Sequence, residues 1–489
     1  MTINSQPRED MPSHSARWRE IVGRKCAPSL ALVCAGVWLH AADSLLVATM
    51  MPAIVGDIGG LALIPWTVAL YEIGSIVAGV AGGFLALRHG LRAPMATAAC
   101  FFSAGCAISA LAPEMWLLLV GRLLQGLGGG GLMALSFVSV GLLFPARLMA
   151  RAMGAVSTVW AISAFMGPLI GGLFVEWGSW RGGFWAFAAQ AALLAIWLAT
   201  RRDIDGRQAA NAIRSRFPFV RLLWLSAGVV LIAYAGVEVL PMRTPILVLA
   251  GLACLAVFLA VEARSETAKL LPRHPLSLRN RLGAALTMIL CFAAATVAIG
   301  IYVPFLITRM HGVSALVAGY IIALEAIAWA VAAAILSGRP ERHDPQMIVT
   351  GLTIVAISIL CFAYSVAYGP LWMIALSGIV QGFGFGTAWT FILRRATSIA
   401  SSRDAELVSG AIPTVQRLGY ALGAAYVGIV ANAACIERVS NSALSDAAIA
   451  IFVACLPLAA LGLVATARFV KSEPAEVLKT GDDVPSNVT

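Results

Sequence analysis

Two consecutive apolar stretches decide the fold, VGRLLQGLGGGGLMAL (120–135) and STVWAISAFMGPLIGGLF (157–174). Each lies in a run long enough to span a membrane, which takes roughly 20 apolar residues in a helix. The first carries Arg122 and Gln125, and a charge inside a bilayer usually faces a protein interior or a water-filled cavity. The glycines of the second permit close helix packing, and its proline bends the helix. The pair predicts a moving transport pathway; the alternative is packing glycines beside an arginine that reaches the membrane surface.

The composition predicts a polytopic membrane protein. Of 489 residues, 60% are hydrophobic and 12% are charged, which excludes an ordinary soluble domain. The net charge of +10 needs no nucleic-acid partner, because cytoplasmic loops of membrane proteins collect Lys and Arg. The nine cysteines form no C-x-x-C pair, so we expect neither a metal site nor a disulfide framework. Without a nucleotide-binding loop or a catalytic constellation, we expect no enzyme and no cofactor.

The hydropathy pattern predicts an all-α fold of fourteen transmembrane helices. The first follows a polar, basic stretch and is too long for a cleaved signal peptide, so we expect it to remain in the protein. The predicted segments are 28–51, 64–87, 93–112, 115–142, 150–175, 183–200, 222–240, 245–263, 282–307, 314–337, 347–367, 370–393, 406–431 and 447–468.

The positive residues predict the orientation of these segments. With the N-terminus inside, 28 of the 34 Lys and Arg fall in inner tails and loops and four in outer loops. A miscounted helix would invert every later loop and destroy this asymmetry. We therefore expect a multi-pass protein of the cell inner (plasma) membrane with both termini in the cytoplasm.

The chain also repeats itself. GAVSTV (154–159) returns as GAIPTV (410–415), and QGLGGG (125–130) returns as QGFGFG (381–386), both at an offset of 256. Further pairs in the same order are Gly167 with Gly423, Pro52 with Pro304 and Glu72 with Glu325. Parallel repeats build transporters whose site lies between two halves that rock against each other. The repeat predicts a 6+2+6 arrangement of helices.

The predicted domains follow from this repeat. They are a cytoplasmic N-tail (1–27), an N-terminal six-helix bundle (28–200), a cytoplasmic loop (201–221), two inserted helices (222–263), a second cytoplasmic loop (264–281), a C-terminal six-helix bundle (282–468) and a cytoplasmic C-tail (469–489).

Six motifs in chain order resemble those of the fourteen-helix drug:proton antiporters of the major facilitator superfamily. They are HAADSLLVATMMPAIVGDIG (40–59), GRLLQG (121–126), GPLIGG (167–172), GSWRGGFW (178–185), FLAVEARSETAKLLPRHPLSLRNR (258–281) and QRLGYALGAA (416–425). The resemblance implies a major facilitator fold and an antiporter. It also assigns conformational roles to Gly126, Gly130, Gly167, Pro168, Gly171, Gly172, Gly90 and Arg92.

The sequence departs from the family pattern in two places, the loop after the second helix and Glu72. The loop after the second helix reads GFLALRHGLR, with Leu87 where the family has an aspartate and Leu91 where it has an arginine. That aspartate belongs to a charge cluster that stabilises one conformation in the family, so its absence brings this latch into question. Glu72 is the second departure, since the family pattern leads us to expect an apolar or small polar residue there.

Four charged residues fall at one depth in the predicted membrane. Asp43, Glu72, Arg122 and Glu325 lie roughly 10–17 Å below the outer surface at about 1.5 Å per residue. We expect Asp43 and Arg122 to pair, as a structural ion pair or as part of proton coupling. Glu72 and Glu325 have no obvious cation in their own helices. Because burial favours the neutral form of a carboxyl, they are candidates for proton or cation handling; hydrogen bonding to backbone or hydroxyl groups is the alternative.

Other polar and aromatic residues are candidates for a substrate pocket. His40 is expected to bond to Asp43, structurally or as a proton relay, and Arg417 to hold an anionic substrate group or to pair with Glu325. Aromatic residues in helices are more often packing residues. The substrate-binding candidates are Tyr71, Gln125, Trp160, Phe165, Trp329, Trp389, Gln416 and Arg417.

These features predict a proton-coupled exporter of small organic molecules, amphipathic or cationic drugs above all, that works by rocker-switch alternating access. Its expected partners are the substrate, protons and the lipid bilayer, and we expect a monomer. One alternative is a dedicated exporter of one metabolite, such as a siderophore or antibiotic. The other is a non-transporting membrane scaffold or receptor, which would need no layer of buried charges.

Overall fold

The computed structural model describes residues 18–21, 23, 26–201, 217–265, 269–399, 405–434 and 441–471. The predicted tails and the predicted loop 201–221 lie largely outside these residues. Within the described part the chain is helical and contains no β-strand.

Fourteen long helices make up the fold, preceded by a helical turn at Trp18–Ile21. They are α1 (Ala27–Ile58), α2 (Ile64–His89), α3 (Arg92–Ala110), α4 (Met115–Leu143), α5 (Ala146–Trp177), α6 (Trp180–Thr200), α7 (Phe219–Ala235), α8 (Arg243–Arg264), α9 (Arg281–His311), α10 (Ala315–Leu336), α11 (Asp344–Tyr368), α12 (Leu371–Ile399), α13 (Ala405–Ala433) and α14 (Asn441–Val470).

Each helix coincides with one predicted segment, so the fourteen-helix fold is confirmed. Two of the differences at helix ends have a clear physical reason. α1 continues past Pro52 to Ile58, although the predicted segment ended at residue 51, since packing against other helices supports a helix around an internal proline. α7 ends at Ala235 rather than at 240, because Gly236 begins a turn there.

Twelve of these helices are long and apolar enough to cross a membrane by length and composition. The other two are α7, which has 17 residues, and α13, which carries Gln416 and Arg417 in its middle. Polar residues inside a spanning bundle are expensive and usually functional. α13 is therefore a natural place to look for a site.

The same helix pairs pack together in both halves of the chain. In the first half α2 packs on α4, α3 on α4 and α6, and α1 on α5. In the second half α10 packs on α12, α11 on α12 and α14, and α9 on α13. The two sets differ by eight helices, as expected for a repeat separated by the inserted pair α7 and α8.

The halves meet through two crossed contacts, α5 with α10 and α2 with α13. These contacts lie toward the end of the bundle where α1 ends and α2 begins, which we call the α1–α2 end. There a Cβ built at Gly428 would lie 3.1 Å from the Cβ of Pro65, and one built at Gly172 would lie 2.8 Å from the Cβ of Leu316. The inserted helix α7 covers the α2–α13 contact, with Val229 packed against both helices.

Toward the opposite end, α2 and α13 separate. Gly83 and Gly410 continue, at helical spacing, the faces that touch at Pro65 and Gly428. A Cβ built at either glycine would have no neighbour within 4 Å among the described residues. The two halves are therefore closed at the α1–α2 end and open at the other end along this pair of helices.

Candidate functional site

Asp43 and Arg122 form a buried ion pair between α1 and α4. Nη1 of Arg122 lies 2.6 Å from Oδ2 of Asp43, and the two side chains are 3% and 0% exposed, respectively. The pairing expected from their depth is therefore present. Both groups are sealed inside the first half, although the repeat predicts a site between the halves.

Arg122 is also held by neighbours on α2 and on its own helix. Its Nε donates a hydrogen bond of 3.2 Å to the carbonyl oxygen of Thr67, and its Nη1 donates to Oε1 of Gln125. Its guanidinium carbon lies 4.4 Å from the ring centre of Tyr71. Gln125 in turn donates to Ser109 at 2.9 Å and is fully buried. Its side chain therefore does not face an open cavity, as the predicted role in substrate binding would require.

One oxygen of the Asp43 carboxyl is unsatisfied. Oδ1 is buried and has no hydrogen-bond partner among the described residues. A buried acceptor without a donor costs about 1–3 kcal/mol, and more when the group is charged. The carboxyl can therefore accept a proton on Oδ1 while Oδ2 keeps its bond to Arg122.

His40 connects the two halves of the protein. Its Nδ1 lies 2.8 Å from the hydroxyl of Tyr71, and its Nε2 lies 3.0 Å from Nη2 of Arg417 on α13. An arginine only donates, so Nε2 accepts, and in the neutral ring Nδ1 carries the proton and donates to Tyr71. The prediction of a bond between His40 and Asp43 is wrong, because both ring nitrogens of His40 bond to other residues, Tyr71 and Arg417.

Glu72 pairs with Arg417 across the boundary between the halves. Nη1 of Arg417 lies 3.1 Å from Oε2 of Glu72, and the side chains are 17% and 12% exposed, respectively. Glu72 thus has no cation in its own helix, as expected, but finds one on a helix of the other half. The partner comes from α13, 345 positions away in the chain. The sequence alone left open whether Arg417 holds an anionic substrate group or pairs with Glu325.

Glu325 stands apart from this network. Nε2 of Gln381 donates a hydrogen bond of 3.0 Å to its Oε1, and Ser358 donates to Gln381 at 3.1 Å. The carboxyl is half-buried, and the described residues provide no cationic partner for it. Three of the four predicted charges thus meet in one network, while the fourth lies in the second half.

The sequence repeat paired the wrong residue with Glu325. In α4, Gly126 packs against the backbone of Tyr71, and in α12 the equivalent Gly382 packs against the backbone of Glu325. Tyr71, and not Glu72, is therefore the spatial counterpart of Glu325. The next turn agrees, since Gly130 packs on Ser75 and Gly386 on Trp329.

The predicted aromatic residues lie in three places. Trp329 stacks on Phe385 with ring centres 5.1 Å apart and meets Trp389 edge-on at 6.0 Å. Trp160 lies edge-on to His40 at 6.2 Å. Phe165 instead faces Tyr320 of α10 at 5.4 Å. Trp329 follows Glu325 by one helical turn, so an aromatic cluster and a carboxyl share one face of α10.

A small cavity in the second half includes two of the predicted substrate residues. Gln416 donates a hydrogen bond of 3.2 Å to the hydroxyl of Tyr420. The cavity is lined by Met288, Phe292, Phe385, Trp389, Gln416 and Tyr420, among others. Of the predicted candidates, Gln416 and Trp389 therefore reach this cavity, while Tyr71 is fully buried beside Arg122.

The predicted conformational residues lie at helix contacts. Gly167 and Gly171 of α5 face α1, and Gly172 faces Leu316 of α10. Pro168 lies against Gly319 of α10. The α5 motif thus holds α5 between its own half and the other one.

The loop after α2 fastens the first half internally. Gly90 has a φ of 74°, which favours glycine, and lets the chain turn from α2 into α3. Arg92 donates to the carbonyl oxygens of Leu198 and Ala199 at the end of α6, at 3.2 and 2.6 Å. Leu87, at the position of the family's aspartate, is exposed.

Three further charged clusters were not predicted. Arg181 pairs with Asp57, and Arg221 lies 2.6 Å from Glu262, joining α7 to α8. Arg394 pairs with Asp344 at the start of α11. Charged residues at the ends of paired helices were the available signal.

Comparisons with known proteins agree with this fold. The family model described as Major Facilitator Superfamily matches residues 33–424. A "probable multidrug-efflux transporter" of Mycobacterium tuberculosis is 30% identical over 470 residues, covering 93% of this chain and 96% of that protein. The multidrug transporter protein MdtP of Bacillus subtilis is 27% identical over 409 residues, covering 81% of this chain and 74% of that protein.

A solved structure has the same architecture. A POT family transporter crystallised with 5-aminolevulinic acid aligns with a TM-score of 0.67 at 13% identity, covering 92% of this chain and 98% of that one. At this identity the likeness concerns the fold alone. The family match extends over most of the chain and includes both halves. The chain belongs to the Major Facilitator Superfamily.

Proposed function

We propose that this protein exports small organic molecules, amphipathic or cationic drugs above all, in exchange for protons. One relative that matches most of the chain is named a probable multidrug-efflux transporter and another a multidrug transporter, which supports export as the direction and drugs as the substrate class. We further propose a monomer in the cell inner membrane with both termini in the cytoplasm; the distribution of Lys and Arg supports this orientation of the termini.

Glu325 is the observation that carries proton exchange. It is a half-buried carboxyl inside the membrane that is bonded by a neutral amide and lacks a cationic partner among the described residues. Such a group can hold either a proton or a cation, and competition between the two is the basis of antiport. Asp43, with its unsatisfied Oδ1, is a second group that can take up a proton.

Substrate binding in this proposal involves the face of α10 that carries Glu325 and Trp329, together with Trp389 and Gln416 at the adjoining cavity. Aromatic rings attract organic cations through their faces, and more strongly where water is excluded. A carboxyl beside such rings suits an amphipathic cation. Trp160, near His40, is the corresponding candidate in the first half.

The transport cycle follows from alternating access. From the outside, a proton binds to Glu325 or Asp43 and displaces the substrate; the protein then turns inward, releases the proton and binds substrate again. One proton crossing 100 mV yields about 2.3 kcal/mol, and a one-unit pH difference adds about 1.4 kcal/mol. This total could support a gradient of several hundredfold for a neutral substrate at one proton per cycle, on the order of 1.4 kcal/mol per tenfold.

A vesicle assay tests the proposal. The purified protein is reconstituted with an imposed pH gradient, and transport of ethidium, a cationic probe, is followed by fluorescence before and after the gradient is collapsed. We expect transport to stop on collapse and to be lost in Glu325→Gln. Glu341 is an exposed carboxyl in the turn just before α11, and Glu341→Gln should behave as the parent. Transport that persists after collapse would refute proton exchange.

A dedicated metabolite exporter is the second candidate. An MFS-type transporter of the acurin A biosynthesis cluster of Aspergillus aculeatus is 34% identical over 150 residues, or 31% of this chain. Testing cationic, neutral and anionic compounds for efflux in a strain without its own pumps separates the two, because a dedicated exporter would act on one of them.

A further inference from the structure

Arg417 belongs to the second half, but the first half holds it. Its Nη1 donates to Glu72 of α2 and its Nη2 donates to His40 of α1, at 3.1 and 3.0 Å. These are the hydrogen bonds of its guanidinium among the described residues. A charged side chain inside a membrane needs such partners. The cost of separating Arg417 from them is therefore a cost of separating the two halves.

The contact lies at the inner border of the closed region. Gly428 meets Pro65 near the α1–α2 end, and Arg417 is 11 residues before Gly428, or about 16 Å deeper along α13. Seven residues further on, Gly410 has no neighbour within 4 Å among the described residues. Glu72 and Arg417 thus join α2 and α13 between the closed contact at Gly428 and the open position at Gly410.

The titratable and charged groups around this contact determine which protonation change can break it. The groups that face Glu72 and Arg417 are His40 from α1, Tyr71 beside Glu72 on α2, Arg122 from α4 and Tyr420 from α13. The inserted helix α7 contributes the apolar Val229. Arg122 already has Asp43 as its counter-ion. Glu72 is therefore the carboxylate that neutralises Arg417.

We propose that the Glu72–Arg417 bond holds the α1–α2 end closed. A proton on Glu72 releases Arg417 and thereby opens this end. This inference rests on the proposed function, because it names the step at which a proton changes the conformation. His40 is a second site at which a proton weakens this contact. Its Nε2 accepts from Arg417 only while it carries no proton, so protonation of His40 also removes an acceptor from Arg417.

A cross-link at the α1–α2 end measures this closure directly. In a background without the nine native cysteines, Pro65→Cys with Gly428→Cys places the two Cβ atoms about 3.1 Å apart across the halves. Gly79→Cys with Ala134→Cys places them 4.0 Å apart within the first half and serves as the control pair. Disulfides form readily at about this separation. Dividing the oxidation rate of the first pair by that of the second removes the intrinsic effect of pH on thiols.

In the purified protein, without substrate or a gradient, we expect this ratio to fall severalfold between about pH 8 and about pH 5.5, where carboxyl and histidine groups in proteins can change charge. Glu72→Gln should keep the ratio low at both pH values, and the exchange Glu72→Arg with Arg417→Glu should restore it at the higher pH. Asp57→Asn, which removes an ion pair within the first half, should leave the ratio as in the parent.

The outcomes separate the two proposals. A parental ratio in Glu72→Gln, or an unchanged pH response in it, would overturn the closure. Normal cross-linking of the control pair in each variant establishes that the first half is folded. If the ratio behaves as expected but efflux does not depend on protons, the proposed function fails while the closure stands.

Discussion

Gln381 donates a hydrogen bond of 3.0 Å to Glu325, whereas Gln125, its counterpart in the first half, accepts one from Arg122. The same residue type thus serves a carboxyl in one half and a guanidinium in the other. The difference arises because Gly378 stands in the second half at the repeat position of Arg122. The second half consequently has a carboxyl without a buried cation beside it.

This relationship predicts substrate selectivity. Glu325→Gln keeps the size of the side chain but removes its charge. A hydrogen bond to a charged group contributes about 1.5–3 kcal/mol, so binding of a lipophilic cation should weaken by about tenfold or more. Binding of a neutral compound should change less. Dissociation constants of both compounds, measured on the purified protein without a gradient, check this; equal losses of affinity for the two compounds would contradict a charge-specific role.

The buried pair in the first half predicts an effect on stability. Asp43→Asn leaves the Arg122 guanidinium without its counter-ion, and breaking a buried pair from one side costs about 3–5 kcal/mol. We expect a lower melting temperature in detergent, followed by tryptophan fluorescence. Replacing both residues, Asp43→Asn with Arg122→Gln, should recover much of the stability, because no buried charge is left alone. Recovered stability without recovered efflux would assign the pair to coupling.

The fold could be predicted from the sequence because each membrane helix is a continuous run of apolar residues that is visible locally. Fourteen apolar segments became fourteen helices, and equal depth was enough to bring Asp43 to Arg122. Partner choice across the halves could not be predicted in this way. The repeat matched Glu72 to Glu325, yet packing matches Tyr71 to Glu325. One residue turns a helix position by about 100°, which is enough to send Glu72 toward α13 instead of into its own half.

Packing glycines and open glycines should respond in opposite ways to alanine. At Gly126 and Gly382 an added Cβ would collide with the backbone of the neighbouring helix, so alanine should destabilise the protein by about 1–3 kcal/mol. At Gly83 and Gly410 it would meet nothing within 4 Å among the described residues. There alanine should be neutral or should stabilise the helix by up to about 1 kcal/mol. Melting temperatures of the four single variants test this, and similar losses at all four would refute the close approach.

The inserted helices predict a local effect. Glu262 lies 2.6 Å from Arg221 and accepts from the backbone N–H groups of Leu270 and Leu271 at 2.6 and 3.0 Å. It therefore ties α7, α8 and the following loop together. Glu262→Gln removes the charge and weakens these bonds, so the loop should open more often and trypsin should cut faster after Lys269.

The neighbouring pair of Glu238 and Arg243 supplies the matched control for this variant. Its carboxylate side chain is 66% exposed, and exposed ion pairs contribute about 0–1 kcal/mol. Glu238→Gln should therefore leave both the melting temperature and the cleavage rate as in the parent. Because neither carboxylate belongs to the charged network of the two halves, efflux per folded molecule should stay constant in both variants. A higher cleavage rate in Glu238→Gln, or an unchanged cleavage rate in Glu262→Gln, would show that Glu262 does not hold this loop.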